Sequence, residues 1–381
     1  MKKSALLPIT LIVFIDVLGF TVVIPLLPFY AQSLGASPAA VGALIATYAV
    51  FALFTGPLLG RASDRFGRKP VLLFSQAGSL LGFVMLAIAP SLTWLFIGRA
   101  LDGLSAGNLL AARAYISDVT PPKDRSAAFG LIAAAFGFGY LVGPAGSSLL
   151  SVFGPHTPLW TAAALAATSI VVTMLMLPST RPTATAAPPI RTAELIATPG
   201  VAPRLAQWFA FLAAFGMFTS GFALFSERRF TWNGAPFGAV EVGFALAWLG
   251  ALGLVVQLLV LRRLVDRCGE AQVVRIGFAV AAAGYAVLAV AQDLPLLVIA
   301  LSLSGIATSL LRPALLGLIS NAVPATRQGM VFGVTQSLQA ITLIVSPLAA
   351  GALIHVGWLT SWALGCSAIL IAGMFAGPKH P

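Results

Sequence analysis

The charged residues of this chain fall in short clusters, and the stretches between them run apolar for about 20 residues at a time, the length a helix needs to cross a bilayer. Twelve such stretches stand out, at 6–30, 39–60, 70–89, 92–116, 127–150, 158–177, 204–226, 239–261, 271–291, 295–320, 328–353 and 358–377. Of 381 residues only 9% are charged and 59% are hydrophobic, whereas a soluble domain carries about 25% charged residues. Such a chain has too little polar surface to face water all round, so lipid must be its solvent. The expected fold is an all-α membrane protein with twelve transmembrane helices. The first apolar run, about Ala5 to Tyr30, is too long for the core of a secretion signal and reads as the first span.

Residues 178–203 interrupt the pattern with Pro, Thr and Ala. They divide the chain into an N-terminal six-helix half (1–177), a cytoplasmic linker (178–203) and a C-terminal six-helix half (204–381). Arg191–Ala197 within the linker is a candidate short surface helix. The net charge of +11 would suit nucleic acid, but its placement points elsewhere. With the N-terminus inside, cytoplasmic segments collect most Lys and Arg, among them Arg61, Arg65, Arg68, Lys69, Lys123, Arg125, Arg181, Arg191, Arg262, Arg263, Arg267, Arg327 and Lys379. The outside holds Arg228 and Arg229, and Arg99, Arg113 and Arg312 fall within spans. This is the positive-inside bias, so no nucleic acid is needed, and both termini are expected in the cytoplasm. Cys268 and Cys366 have no metal-ligand spacing and read as free buried thiols.

The two halves repeat each other. Ile116-Ser117-Asp118-Val119-Thr120-Pro121 is echoed by Ile319-Ser320-Asn321-Ala322-Val323-Pro324, Phe129-Gly130 by Phe332-Gly333, and Gly143-Pro144 by Ser346-Pro347. With one gap, Asp64-Arg65-Phe66-Gly67 is echoed by Asp266-Arg267-Cys268-Gly269. Two parallel six-helix repeats with a site near the midplane are a common plan of secondary transporters. No Gly-Lys-Ser/Thr phosphate loop is visible, so no motif points to ATP as the energy source.

The segment Gly60-Arg61-Ala62-Ser63-Asp64-Arg65-Phe66-Gly67-Arg68-Lys69 resembles the signature loop of the major facilitator superfamily. Gly60 lets helices approach, Gly67 permits the tight turn, Asp64 can sit at a helix N-terminus, and Arg68 can reach Asp118. The resemblance implies a cytoplasmic gate of Gly60, Asp64, Arg65, Gly67, Arg68 and Asp118; a simple positive-inside anchor is the plainer reading. Gly137-Phe138-Gly139-Tyr140-Leu141-Val142-Gly143-Pro144 looks like the motif of proton-coupled antiporters, with Gly139, Gly143 and Pro144 at its heart; ordinary small-residue packing is the alternative. The segments around Asp16-Val17-Leu18-Gly19-Phe20 and Arg99-Ala100-Leu101-Asp102 resemble the tetracycline-efflux and multidrug:proton antiporter group. Those exporters carry further acids in helices 3 and 9, where this chain has Ser79-Leu80-Leu81-Gly82-Phe83 and no acid in the apolar run of helix 9.

A charge inside a span costs about 2.5–3.5 kcal/mol on insertion scales and is functional by default. Asp16 and Asp102 each lie about ten residues into their spans, roughly 15 Å deep, and Arg99 is one turn from Asp102. Asp16, Arg99 and Asp102 are thus expected to meet near the midplane and to carry proton coupling, with Asp16 titrating while Arg99 holds Asp102; a structural ion pair between helices 1 and 4 is the alternative. Candidate substrate contacts are Asn108, Phe215, Phe218, Gln257, Arg312, Gln336 and Gln339. Arg113 is expected to snorkel, and His156 to be structural. No catalytic cluster, metal site or cofactor is expected. The reading is a monomeric, multi-pass inner-membrane secondary transporter. It exchanges protons for small amphipathic compounds, drugs among them. A dedicated metabolite carrier for a sugar, amino acid or siderophore is the alternative on the same scaffold.

Overall fold

The computed structural model describes residues 3–120, 125–178, 198, 200–323 and 328–378. Most of the linker, including Arg191–Ala197, and the basic residues Lys123, Arg181, Arg327 and Lys379 lie outside them. The elements in order are α1 (Lys3–Val23), α2 (Leu27–Ser33), α3 (Pro38–Phe66), α4 (Arg68–Ala87), α5 (Leu92–Leu104), α6 (Asn108–Val119), α7 (Arg125–Ser151) and α8 (Thr157–Met176). Then come α9 (Val201–Arg229), a two-strand hairpin of β1 (Thr231–Trp232) and β2 (Ala235–Pro236), α10 (Ala239–Leu259), α11 (Leu261–Val290), α12 (Leu294–Asn321), α13 (Gln328–His355) and α14 (Leu359–Phe375). Among the described residues, nine helices are long and apolar enough to cross a membrane. Phe54, Leu58, Phe74, Leu175, Leu258 and Phe375 are all exposed, a surface that suits lipid and would be a liability in water.

Several expected spans are broken or longer than the apolar runs suggested. The first is split at Ile24–Leu26, where Pro25 has no N–H to continue the helix and Leu26 bonds back to the Val23 carbonyl at 3.2 Å. The fourth is split between α5 and α6 at Ser105–Gly107, where the Gly107 N–H turns onto the Ser105 carbonyl at 2.7 Å. The hairpin pairs Trp232 with Ala235 across Asn233 (φ 52°) and Gly234 (φ 81°). Both turn residues have positive φ, the preference of Asn-Gly in a two-residue hairpin turn. Helices α10 and α11 follow one another almost without a loop, and α11 itself is kinked at Gly269 (φ 77°, ψ 158°).

The chain forms two compact units. One comprises Met1–Ala36, Leu44–Ala187 and Gly238–Ala247; the other Ser37–Ala43, Pro188–Phe237 and Trp248–Pro381. The first has a core of Ile9, Ile12, Leu72, Tyr115 and Ile116, drawn from α1, α4 and α6. The second is built around rings: Phe218 lies 5.1 Å from both Phe222 and Tyr285, and Phe225 lies 5.0 Å from Trp362, centroid to centroid. Such aromatic pairs add about 0.5–1.5 kcal/mol each beyond the area they bury. Phe218 is fully buried in this cluster and packs as part of the core. Cys366 is buried but Cys268 is exposed, beside the Gly269 kink rather than inside a span.

Candidate functional site

Among the described residues, the fully buried charged side chains, Arg68, Arg99 and Asp102, lie in the first unit. On α5, Arg99 and Asp102 are separated by three residues and so share a face. The Arg99 guanidinium meets the Asp102 carboxylate at 3.1 Å, and both side chains are 5% exposed. The guanidinium also lies over the Tyr48 ring at 4.8 Å and near the Phe20 ring at 6.0 Å, a cation–π arrangement worth about 2 kcal/mol when desolvated. The other Asp102 oxygen accepts from the Ser79 hydroxyl of α4 at 2.8 Å. Both oxygens of Asp102 are therefore occupied. Taking two charges out of water costs several kcal/mol per ion, and this site offsets that cost with a salt bridge, a hydroxyl donor and two aromatic faces.

Asp16 on α1 is held differently. Arg99 is committed to Asp102 and the rings, and among the described residues Asp16 makes no salt bridge. Ser169 of α8 and Gln76 of α4 lie beside the Asp16 carboxyl, with Asp102 close enough to act through its charge. Its Oδ2 is sealed from solvent and has no hydrogen-bond partner. Gln76 is fully buried and donates to the Ser169 and Thr173 hydroxyls, each at 2.8 Å. Phe20, Tyr48, Gln76, Ser79, Ser169 and Thr173 were not singled out from sequence. One signal was available: beyond its basic first turn α4 is apolar except for Ser75, Gln76 and Ser79, and the last two are three apart.

Helix α7 packs on α1 through the antiporter-like motif. An added Cβ at Gly139 would overlap Val17, and one at Gly143 would overlap Thr21. The Thr21 hydroxyl donates to the Gly139 carbonyl at 2.9 Å. Pro144 lies one residue beyond, inside the helix. Gly137 and Gly146 face open space, so only part of the glycine run serves close contact.

At the end of α3 a second cluster gathers around Arg68. Its Nε donates to Asp118 at 2.7 Å and its Nη1 to Asp64 at 2.5 Å and Ser63 at 3.1 Å. Asp64 does not sit at a helix N-terminus. It occupies the last turn of α3, the negative end of that helix dipole, and is held there by Arg68 at the start of α4. Gly67 between them has φ 96° and ψ 163°, a region that is essentially glycine-only. An added Cβ at Gly60 would come within 3.1 Å of Leu110 on α6. Arg65 points away, exposed, with its guanidinium 5.4 Å from the Phe66 ring.

The remaining candidates are scattered. Asn108 opens α6 just after its break, with Oδ1 buried and unpartnered. In the second unit Phe215 stacks on Phe211 at 6.0 Å, Gln257 is exposed in the last turn of α10, and Arg312, Gln336 and Gln339 are partly buried. Arg113 is partly buried on α6, and Arg312 and Arg113 both make interactions of their own. His156 caps α8 and meets the Tyr30 ring edge-on at 5.0 Å. No group of three His, Cys, Asp or Glu side chains among the described residues is placed to hold a metal ion.

The sequence pattern of the Major Facilitator Superfamily matches residues 9–262 and again 237–380. The tetracycline resistance protein, class D, of Salmonella ordonez is 33% identical, over 91% of this chain and 89% of its own length. Multidrug resistance protein 2 of Bacillus subtilis (strain 168) is 26% identical, over 90% of this chain and 86% of its own. The human organic anion transporter MFSD10 shares the fold, with a TM-score of 0.74 at 21% identity over 98% of this chain and 99% of that one.

Proposed function

The chain belongs to the major facilitator superfamily, and on that premise we propose that it is a drug exporter driven by proton exchange. The observation that carries this reading is the contrast between two carboxyls of the first unit, Asp102 buried and Asp16 partly buried. Asp102 is saturated by Arg99 and Ser79, whereas Asp16 keeps one sealed oxygen without a donor. A carboxylate offers only acceptors, and a bare acceptor in an apolar interior is costly. Protonation removes the charge, which is the larger part of that cost. Asp16 is thus the proton carrier, taking a proton from outside as substrate leaves and releasing it inside as the next substrate binds, and the Arg99–Asp102 pair beside it sets the local field.

The same reading assigns twelve spans in two six-helix repeats, the α5–α6 pair, α7 and α14 completing the nine helices above. Residues 178–203 link the halves in the cytoplasm, both termini are cytoplasmic, and the protein acts as a monomer in the bacterial inner membrane. Arg68, Asp64 and Asp118, with Gly60, Arg65 and Gly67, form the cytoplasmic gate, and Gly139, Gly143 and Pro144 the antiporter hinge. Asn108, Phe215, Gln257, Arg312, Gln336 and Gln339 are the substrate contacts. Both the tetracycline and the multidrug relatives support small amphipathic, ring-containing compounds as cargo.

An efflux-deficient bacterium carrying the protein, an Asp16→Asn variant at equal expression, or an empty vector tests this on a diverse drug panel that includes tetracycline. Resistance lost with Asp16→Asn is the expected result. Resistance that survives the substitution removes Asp16 from coupling. No protection against any compound, with the protein confirmed in the membrane, favours a dedicated metabolite instead.

A further inference from the structure

Helix α11 opens with a short stretch, Leu261–Cys268, ahead of the kink at Gly269. Helical spacing sorts its residues onto three faces. Leu261, Leu264, Val265 and Cys268 share an apolar face, and the first three are half-buried. Arg262 and Asp266 share a second face, one turn apart, and pair at 3.9 Å. Arg263 and Arg267 share the third, again one turn apart, and both are exposed. Like charges so placed repel, and among the described residues neither arginine forms a salt bridge. The next acid along the chain, Glu270, is turned to α12, where it accepts from the Asn321 amide at 3.4 Å. Two guanidiniums therefore stand together with no anion of the chain between them.

The residues just before them point to the source of that anion. Leu258 and Leu259 end α10, Val260 follows, and all three are exposed. An exposed apolar surface of this kind suits acyl chains. The surface turns from apolar to basic between Val260 and Arg262, so the guanidiniums lie where hydrocarbon gives way to headgroups. The planar fork of an arginine bonds two oxygens of one phosphate at once. The first half has Arg61 and Arg65 at the corresponding places, after the exposed Leu58. There the Arg65 guanidinium lies 5.4 Å from the Phe66 ring, and Arg68 ties the turn from within. In the second half Cys268 stands in place of the ring, and among the described residues no buried ion pair ties the turn.

We propose that Arg263 and Arg267 clasp the phosphate of an anionic phospholipid whose chains lie on Leu258, Leu259 and Val260, and that this lipid ties the Gly269 turn from outside as Arg68 ties the Gly67 turn from within. The site depends neither on the cargo nor on proton exchange.

The full-length protein is purified in micelles holding equal amounts of phosphatidylglycerol and phosphatidylcholine, and the lipids retained on it are counted by native mass spectrometry. The parent is expected to keep phosphatidylglycerol over phosphatidylcholine. Arg263→Gln with Arg267→Gln is expected to cut that preference by about tenfold or more. Arg262→Gln with Arg275→Gln removes as much charge from the same helix and is expected to leave the preference in place. Excess inorganic phosphate is expected not to displace the lipid, because the chains hold it too. Added phosphatidylglycerol is expected to raise the thermal denaturation midpoint of the parent and not that of the Arg263, Arg267 double variant. Equal losses from the two double variants reduce the pair to the general attraction of a basic surface and overturn the clasp, as does a parent with no preference. Release by inorganic phosphate overturns the lipid as occupant, and an equal rise in midpoint with and without the pair overturns the tie across the turn.

Discussion

Two turns in this molecule have nearly the same backbone and opposite side-chain chemistry. Gly67 (φ 96°, ψ 163°) and Gly269 (φ 77°, ψ 158°) each stand between the end of one helix and the start of the next, at matching places in the sequence repeat. After Gly67 comes Arg68, buried, on Asp64 and Asp118. After Gly269 comes Glu270, and at the place corresponding to Asp118 stands Asn321, whose amide reaches Glu270 at an exposed 3.4 Å. The remaining ion pair beside that turn, Arg262 with Asp266, is 3.9 Å apart with both side chains mostly exposed. The repeat has kept what the backbone requires and let the charge diverge: among the described residues the first turn is locked by a buried ion pair and the second is not. The interiors differ in the same sense. The first unit holds buried carboxyls and a guanidinium, while the second is packed with rings.

The contrast can be broken by substitution. Arg68→Ala leaves Asp118, 9% exposed, without its cation and is expected to cost about 3–5 kcal/mol, seen as a large fall in the thermal denaturation midpoint and in resistance. Glu270→Ala is expected to change neither; equal losses from the two would abolish the asymmetry. Phe218→Ala removes the centre of the ring cluster and is expected to cost about 3–5 kcal/mol in a denaturation assay, without changing which compounds the surviving protein protects against. A narrowed range of compounds at full stability would return Phe218 to the binding site. Gly67→Ala and Gly269→Ala are expected to cost alike, about 1–3 kcal/mol each; a marked inequality would mean that the turns are not equivalent. The smallest effect belongs to Asp64→Asn, whose side chain is 66% exposed. An exposed ion pair is worth about 0–1 kcal/mol, so thermal stability should hardly move.

Much of the fold was legible because lipid imposes a simple rule on helix length, and the apolar runs obey it. What the runs hid were the breaks. Pro25 announced the split after α1, but Ser105-Ala106-Gly107 looks like ordinary small residues until its backbone turns. Asn233-Gly234 was a readable hairpin signal that the search for spans passed over. In the site, Asp16, Arg99, Asp102 and Arg68 were visible because a charge in an apolar run is rare. The pairings of Arg99 with Asp102 and of Arg68 with Asp118 were legible too. The neighbours of Asp16 were not, since depth along a helix does not say which way a side chain faces, and Gln76 and Ser169 carry no charge to mark them. The burial of Phe218 was hidden for the same reason: six Phe side chains along α9 are alike in sequence, and only packing separates Phe218 in the core from Phe215 at its edge.

The central claim is that Asp16 gives up its proton as substrate binds. It is tested most directly by adding a compound identified on the resistance panel to purified protein in lightly buffered detergent, with a pH indicator following proton release. The account predicts release with the parent chain and none with Asp16→Asn. Equal release from both would contradict it.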